Sequence, residues 1–290
     1  MPHCPLRCLL LAMLVAVASA PSITAAEDPD RRLEMSPTVP AIRVEQTPTG
    51  ERYGLLGAAG NGPRPTLFIF AVGIETTLES PDYSRAGRLL LPDGVLCVAL
   101  DVPCHGQDVR PGETEGLTGW RERIEQGENV PAVFAQRASA VLDHLIAEGV
   151  TDPLRVAACG TSRGGFIALH FAAAEPRVRA VAAFAPVTEL PALREFAGLE
   201  SHELTRALDL GHQAEKLSDR GLWLCIGNRD ERVGTDRAIA LTRGMVAAAA
   251  LRGQAADVDL RVTATPGHTI HDTAHDEAAA WLRVRLTAAP

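Results

Sequence analysis

Lysine is almost missing from this chain: Lys216 is the only one. Arginine carries nearly all the positive charge, and acidic residues outnumber basic ones by 36 to 28, a formal net charge of −8 over 290 residues. A protein that grips nucleic acid or an anionic membrane usually shows a basic face, and none is apparent, so no nucleic acid or membrane partner is expected. The arginine bias, with alanine tracts such as residues 246–250, reads as codon usage. Aromatics make up only 4%, and Trp120, Trp223, Phe166 and Phe184 are expected to pack the core and not to form a substrate-stacking platform. There is no C-x-x-C pair. Cys4 and Cys8 fall in an N-terminal leader, and Cys97, Cys104, Cys159 and Cys225 follow at irregular spacings. That pattern argues against a disulfide framework or a metal site and for buried free thiols, with a bridge through Cys104 left open because export permits oxidation. H-E-x-x-H is absent too: His271 and His275 lie four apart, but no Glu follows His271. No metal or organic cofactor is expected.

Long apolar runs are also lacking. Residues 9–18 form a run of ten, where a membrane span needs ~20. With Arg7 before it and Ala18-Ser19-Ala20 at its end, this run reads as a secretory signal peptide, and Thr24-Ala25-Ala26 offers a second cut. Residues 1–26 are therefore expected to be signal and processing region. Residues 27–40, with Pro29, Pro37 and Pro40, are expected to be a linker. The mature protein is expected to be secreted or periplasmic, with no membrane span.

Residues 41–290 suit a single α/β domain with a sizeable core, since 46% of the chain is hydrophobic. Residues 41–47 and 52–59 predict an antiparallel pair around Pro48-Thr49-Gly50. Residues 66–72 and 94–100 are apolar enough for parallel strands buried on both faces. Further strands are predicted at 178–185, 222–227 and 258–263, and helices at 130–147, 235–251 and 272–286. Strands alternating with helices specify a mainly parallel twisted sheet covered on both faces. Residues 186–220 are too long for a simple connection and are expected to form a small helical cap.

Residues 154–174 are the most informative stretch: an apolar strand, a tight turn and a helix, with Gly160-Thr161-Ser162-Arg163-Gly164 at the turn. This fits G-x-S-x-G, in which a serine sits on a sharp strand-to-helix bend and small flanking residues let the two elements approach. A serine hydroxyl is a weak nucleophile unless a base takes its proton and a third group orients the base. In such a sheet ligands bind beyond the carboxyl ends of the strands, so the partners should follow later strands. Asp230 follows the strand at 222–227, with Asp236 as rival acid. His268 follows the strand at 258–263, with His271 and His275 as rivals on helical positions. The order Ser162, Asp230, His268 is the one this pattern requires. Oxyanion donors are expected from the backbone N–H of Arg163 and from the loop at 73–77, with Ile74 first choice and room for a one-residue shift. Asp101 and His105 are expected to brace the loop after their strand. The Arg163 guanidinium could pair within the elbow's surroundings or favour a substrate carboxylate.

On these residues the chain, from about residue 41 to 286, resembles the α/β-hydrolase superfamily. The run Gly160–Gly165 is similar to the elbow of dienelactone-hydrolase-like and prolyl-oligopeptidase-like enzymes, and Asp101-Val102-Pro103-Cys104-His105-Gly106 resembles the superfamily's D-x-P-G-H-G turn. Two departures are Val72-Gly73 in place of His-Gly after the strand at 66–72, and Cys104 in place of glycine. The resemblance implies the α/β-hydrolase fold and a serine hydrolase acting through an acyl-enzyme. Prolyl-oligopeptidase relatives carry a propeller-sized N-terminal domain that selects short peptides, and no such domain is expected in this protein. The expected substrate is therefore a small carboxylic ester or lactone. A serine peptidase of the prolyl-oligopeptidase type and a non-catalytic binding protein on the same fold are the alternatives.

Overall fold

The computed structural model describes residues 41–287 apart from Ala59 and Asn61; the expected signal peptide and linker lie outside the described residues. The chain opens with β1 (Arg43–Gln46) and β2 (Arg52–Leu56), an antiparallel pair in which Gln46 faces Arg52 across the expected turn. β3 (Arg64–Phe70) follows, its Leu67, Phe68, Ile69 and Phe70 fully buried. Each such side chain contributes roughly 1.5–3 kcal/mol by leaving water. Next come α1 (Ile74–Glu79), α2 (Pro81–Arg88) and β4 (Leu96–Ala99), then α3 (Gly116–Glu125) and α4 (Val130–Ala147). β5 (Thr151–Thr161) runs into α5 (Arg163–Ala174) and β6 (Val178–Phe184). Residues 186–220 hold α6 (Glu203–Ala207) and α7 (Ala214–Leu217), and after them come β7 (Gly221–Arg229), with α8 (Thr235–Leu251), β8 (Val258–Pro266) and α9 (Ala274–Thr287) closing the chain.

The sheet order is β1-β2-β4-β3-β5-β6-β7-β8. β2 pairs antiparallel with both neighbours, while all pairs from β4 to β8 are parallel. A parallel strand pair needs a crossover, and helices on both faces supply it. One face is closed by α3, α4, α5 and α8 around Trp120, Phe134, Phe166 and Phe171. The other is closed by α1, α2 and α9 around Ile74, Ala86 and Leu282. This is the α/β-hydrolase architecture expected from the sequence.

α4 has the predicted bounds, and both its ends are legible. The Asn129 side chain accepts from the Ala132 N–H, and Gly149 leaves the helix with φ +68°. The helices α1, α2 and α3 were not predicted. α9 starts at Ala274, so His271 lies in the loop before it, and the expected placement of His271 and His275 on one helix is corrected. His275 is buried against the Phe184 ring, 4.4 Å between centroids. The four cysteines from Cys97 onward are free and buried.

Residues 186–220 contain two short helices and several 3₁₀ turns. Leu190, Leu193, Phe196, Leu210 and Leu217 join the same core as α4 and α5. Among the described residues no helix is long and apolar enough to cross a membrane.

Candidate active site

The bend between β5 and α5 is tight enough to exclude side chains on either side. A Cβ on Gly160 would lie 2.3 Å from the Gly164 backbone, and a Cβ on Gly164 would lie 1.9 Å from the Phe70 carbonyl oxygen. Between them Ser162 takes φ +54° and ψ −113°, in a region L-residues rarely occupy. Its N–H donates to the Phe184 carbonyl, 2.8 Å, and its carbonyl accepts from Val187 N–H, 3.1 Å. These bonds pin the strained residue to the end of β6, so the strain is held by the sheet.

The side chain points at His268. Ser162 Oγ and His268 Nε2 are 2.9 Å apart, and His268 Nδ1 is 2.8 Å from Asp230 Oδ2. The structure thus brings together the three residues the sequence singled out, each just past the carboxyl end of β5, β7 or β8. Asp230 is 2% exposed. Its second oxygen, Oδ1, accepts from the N–H groups of Arg232 and Val233 at 3.0 and 3.1 Å. Three donors on a buried carboxylate hold it in one orientation. With Nδ1–H donated to it, the imidazole turns its Nε2 lone pair to the serine hydroxyl. Asp236, the rival acid, lies in the first turn of α8.

His271 has another role. Its Nε2–H donates to Glu277 Oε1 at 3.0 Å, and its Nδ1 lies 3.2 Å from Cys225 Sγ. Burial pushes the Cys225 thiol up to about 11, so this sulfur stays protonated and its S–H meets the Nδ1 lone pair. The contact ties the loop that carries His268 to β7 and α9.

The expected second oxyanion donor, Ile74, is corrected. Ile74 is the first residue of α1, whose N-cap is Gly73, a residue with no side chain to satisfy the helix end. Asp101 does so from the loop after β4: its Oδ1 accepts the Ile74 N–H at 2.9 Å. Its Oδ2 accepts from Arg52 Nη1 at 2.8 Å and from Gln107 N–H at 3.3 Å. Asp101 therefore braces three segments, as expected, and removes Ile74 from the site. The Val72 N–H donates to Thr77 Oγ1, 3.1 Å. Ala71, immediately after β3, lines the cleft instead.

That cleft has a volume of about 460 Å³ and is lined by Ser162, Arg163 and His268 together with Tyr83, Glu195 and Arg232. Residues 115–118 form a further wall. The cap contributes Glu195, α2 contributes Tyr83 and the start of α3 the wall at 115–118, while residues 73–77, expected to supply an oxyanion donor, do not line it. Arg232 is held by Glu195 through two bonds of 2.7 and 2.8 Å, a bidentate clamp joining the cap to the Asp230 loop. Arg163 is different. Its Nη1 donates to His105 Nε2 at 3.0 Å, and His105 Nδ1–H donates to the Pro103 carbonyl at 2.9 Å. Burial depresses the pKa of His105, so its partner in this bond is a neutral imidazole.

Residues 118–284, more than half of the chain, match the model of the prolyl oligopeptidase family. The chain belongs to that family. No curated protein matches it. Among solved structures, a puromycin-hydrolyzing peptidase of Mycobacterium tuberculosis superposes with a TM-score of 0.64 at 16% identity, over 86% of this chain and 40% of that one. The chain therefore spans well under half the length of that peptidase. Acetyl xylan esterase 1 of Thermoanaerobacterium sp. superposes with a TM-score of 0.59 at 18% identity, over 86% of this chain and 89% of that one. At these identities the likeness is one of fold. Within this family's fold the Ser162, His268 and Asp230 side chains form a chain of contacts whose Ser162 and His268 open into the cleft.

Proposed function

We propose that the protein is a serine hydrolase that cleaves a small carboxylic ester or lactone with Ser162 as nucleophile. The observation that carries the reading is the unbroken Ser162–His268–Asp230 hydrogen-bond chain on a strained bend at the floor of the cleft. Ser162 Oγ attacks the ester carbonyl while His268 Nε2 takes its proton, and Asp230 steadies the imidazolium. The tetrahedral oxyanion is held by the Arg163 N–H at the start of α5 and by a donor from the end of β3, which we assign to Ala71 because Val72 and Ile74 have given their N–H groups elsewhere. Collapse of the intermediate breaks the C–O bond, and the leaving alkoxide receives the His268 proton. Water then attacks the acyl-enzyme with His268 again as base, releasing the acid and restoring Ser162.

Ester is preferred over peptide on one ground. Inside the cleft, Glu195 is already clamped by Arg232, so it is not free to receive a peptide's terminal ammonium. The second reading, a peptidase, rests on the family match. We further propose that residues 1–26 are removed on export and that the enzyme acts outside the cytoplasm. A panel of p-nitrophenyl esters, lactones and peptidyl p-nitroanilides decides between the readings. Ester or lactone turnover with a kcat/KM at least about tenfold above the best anilide is expected, and the reverse order overturns the ester assignment.

A further inference from the structure

Among the described residues, Arg163 is the one arginine lining the cleft that has no ion pair. Its bond to His105 engages a neutral ring through one N–H of five. Arg232, the other guanidinium in the cleft, is neutralised by Glu195 at 2.7 Å. Glu115 lines the same cleft from its exposed rim but forms no ion pair with Arg163. None of the Arg163 nitrogens is both buried and without a partner, so the N–H groups not given to His105 are open to the cleft. A cation drawn partly out of water with no counter-charge is costly, and the arrangement holds it beside the nucleophile. His105, locked in one tautomer by Pro103, fixes the guanidinium plane.

We infer that the Arg163 guanidinium is a specificity group for an anionic substrate, an ester in which the acyl or the alcohol half carries a carboxylate. The inference rests on the ester reading above and narrows it. A planar guanidinium with two parallel N–H groups matches a carboxylate better than it matches a neutral amide or hydroxyl. The substrate would bring the charge that the protein withholds. Because Arg163 directly follows Ser162, the bound carboxylate lies within a few bonds of the scissile carbonyl, which favours short diacid half-esters and esters of hydroxy acids.

The test uses two matched pairs. In one the carboxylate is on the acyl side, mono-p-nitrophenyl succinate against p-nitrophenyl butyrate. In the other it is on the alcohol side, 4-acetoxybenzoate against 4-acetoxybenzamide. For wild type, kcat/KM is expected to favour the anionic member of at least one pair by about 10- to 100-fold, the range of a charged hydrogen bond. Arg163→Gln is expected to bring that ratio to about one, and Arg163→Lys to restore part of it. A wild-type ratio below tenfold in both pairs overturns the inference and needs no variant, so a misfolded variant does not protect it. A wild-type preference that survives in Arg163→Gln, with an unchanged unfolding midpoint, also overturns it. Turnover of all four esters without preference removes this inference and leaves the ester reading standing, whereas turnover of none removes both.

Discussion

Replacing Asp230 by asparagine separates charge from shape at the site. Asp230 Oδ1 accepts two backbone N–H bonds, from Arg232 and Val233, and Oδ2 accepts from His268. An asparagine must keep its carbonyl oxygen where Oδ1 is, because an NH₂ there would face two donors at 2% exposure. Its amide hydrogens then point at His268 Nδ1. The imidazole can answer only by moving its proton to Nε2, and an Nε2–H cannot accept the Ser162 proton. The substitution therefore costs the base in the chemical step while leaving the packing intact. A wrong-tautomer variant of an analogous triad loses about 10⁴ in kcat, and kcat of Asp230→Asn is expected to fall by about 10³–10⁴. Removing a buried charge while keeping its backbone bonds shifts the unfolding free energy by about 1 kcal/mol or less. Steady-state kinetics on an activated ester and urea unfolding read the two effects. A variant that keeps more than about a tenth of wild-type kcat refutes the tautomer argument and returns Asp236 as candidate acid. A loss of activity that merely tracks a loss of folded protein refutes it as well.

Three further outcomes follow from other parts of the structure. Gly164→Ala would put a methyl 1.9 Å from the Phe70 carbonyl oxygen, forcing α5 away from β3 by on the order of 1 Å. That should destabilise by about 1–3 kcal/mol and lower kcat by about 10²-fold through displacement of the elbow, and equal stability and activity would contradict the packing account. His170 donates to the Leu208 carbonyl at 3.0 Å and packs on Phe166, and burial depresses its pKa to about 4. The unfolded chain, with a histidine pKa near 6.5, binds a proton there that the folded chain does not, so stability falls as pH drops below about 6.5 and the loss levels off near pH 4. The contribution is on the order of 3 kcal/mol, and His170→Gln is expected to flatten that part of the acid arm in urea titrations at pH 7 and 4.5; an unchanged arm would count against it. His271→Ala frees the loop that carries His268 from Cys225 and Glu277. It should lower kcat about tenfold with little change in KM, and an unaltered kcat would show that the tether does not position the base.

The sheet was legible because it is written locally. Buried parallel strands such as β3 are continuous apolar runs, and α4 carries its own cap and stop. The elbow, acid and histidine were legible because the architecture fixes their order and each follows a strand. The helices α1 and α2 went unseen although Ser80 and Pro81 form a readable start for α2, where the Ser80 side chain accepts from Asp82 N–H. α2 is polar and contains Gly87, whose absent Cβ would meet Cys97 Sγ and Ile69 Cδ1 at 2.7 Å. Its glycine answers a tertiary contact and not a local break. Ile74 was misassigned for a similar reason. Its N–H is claimed by Asp101, 27 positions away, and no local pattern reports such a cap. The bond from Arg163 to His105 and the clamp from Arg232 to Glu195 join segments 58 and 37 residues apart. Arginine content alone could not say which cation would be left without a counter-charge.

The account stands on Ser162 being a nucleophile activated by His268, and covalent trapping tests that most directly. Wild type, Ser162→Ala and His268→Ala, each shown to be folded, are treated with a fluorophosphonate and mapped by peptide mass spectrometry. The expected result is one adduct, on Ser162, in wild type; none in Ser162→Ala; and labelling slowed by at least about 10³-fold in His268→Ala. Folded wild-type protein that takes up no adduct, or that takes it up at a residue other than Ser162, would contradict the account at its centre.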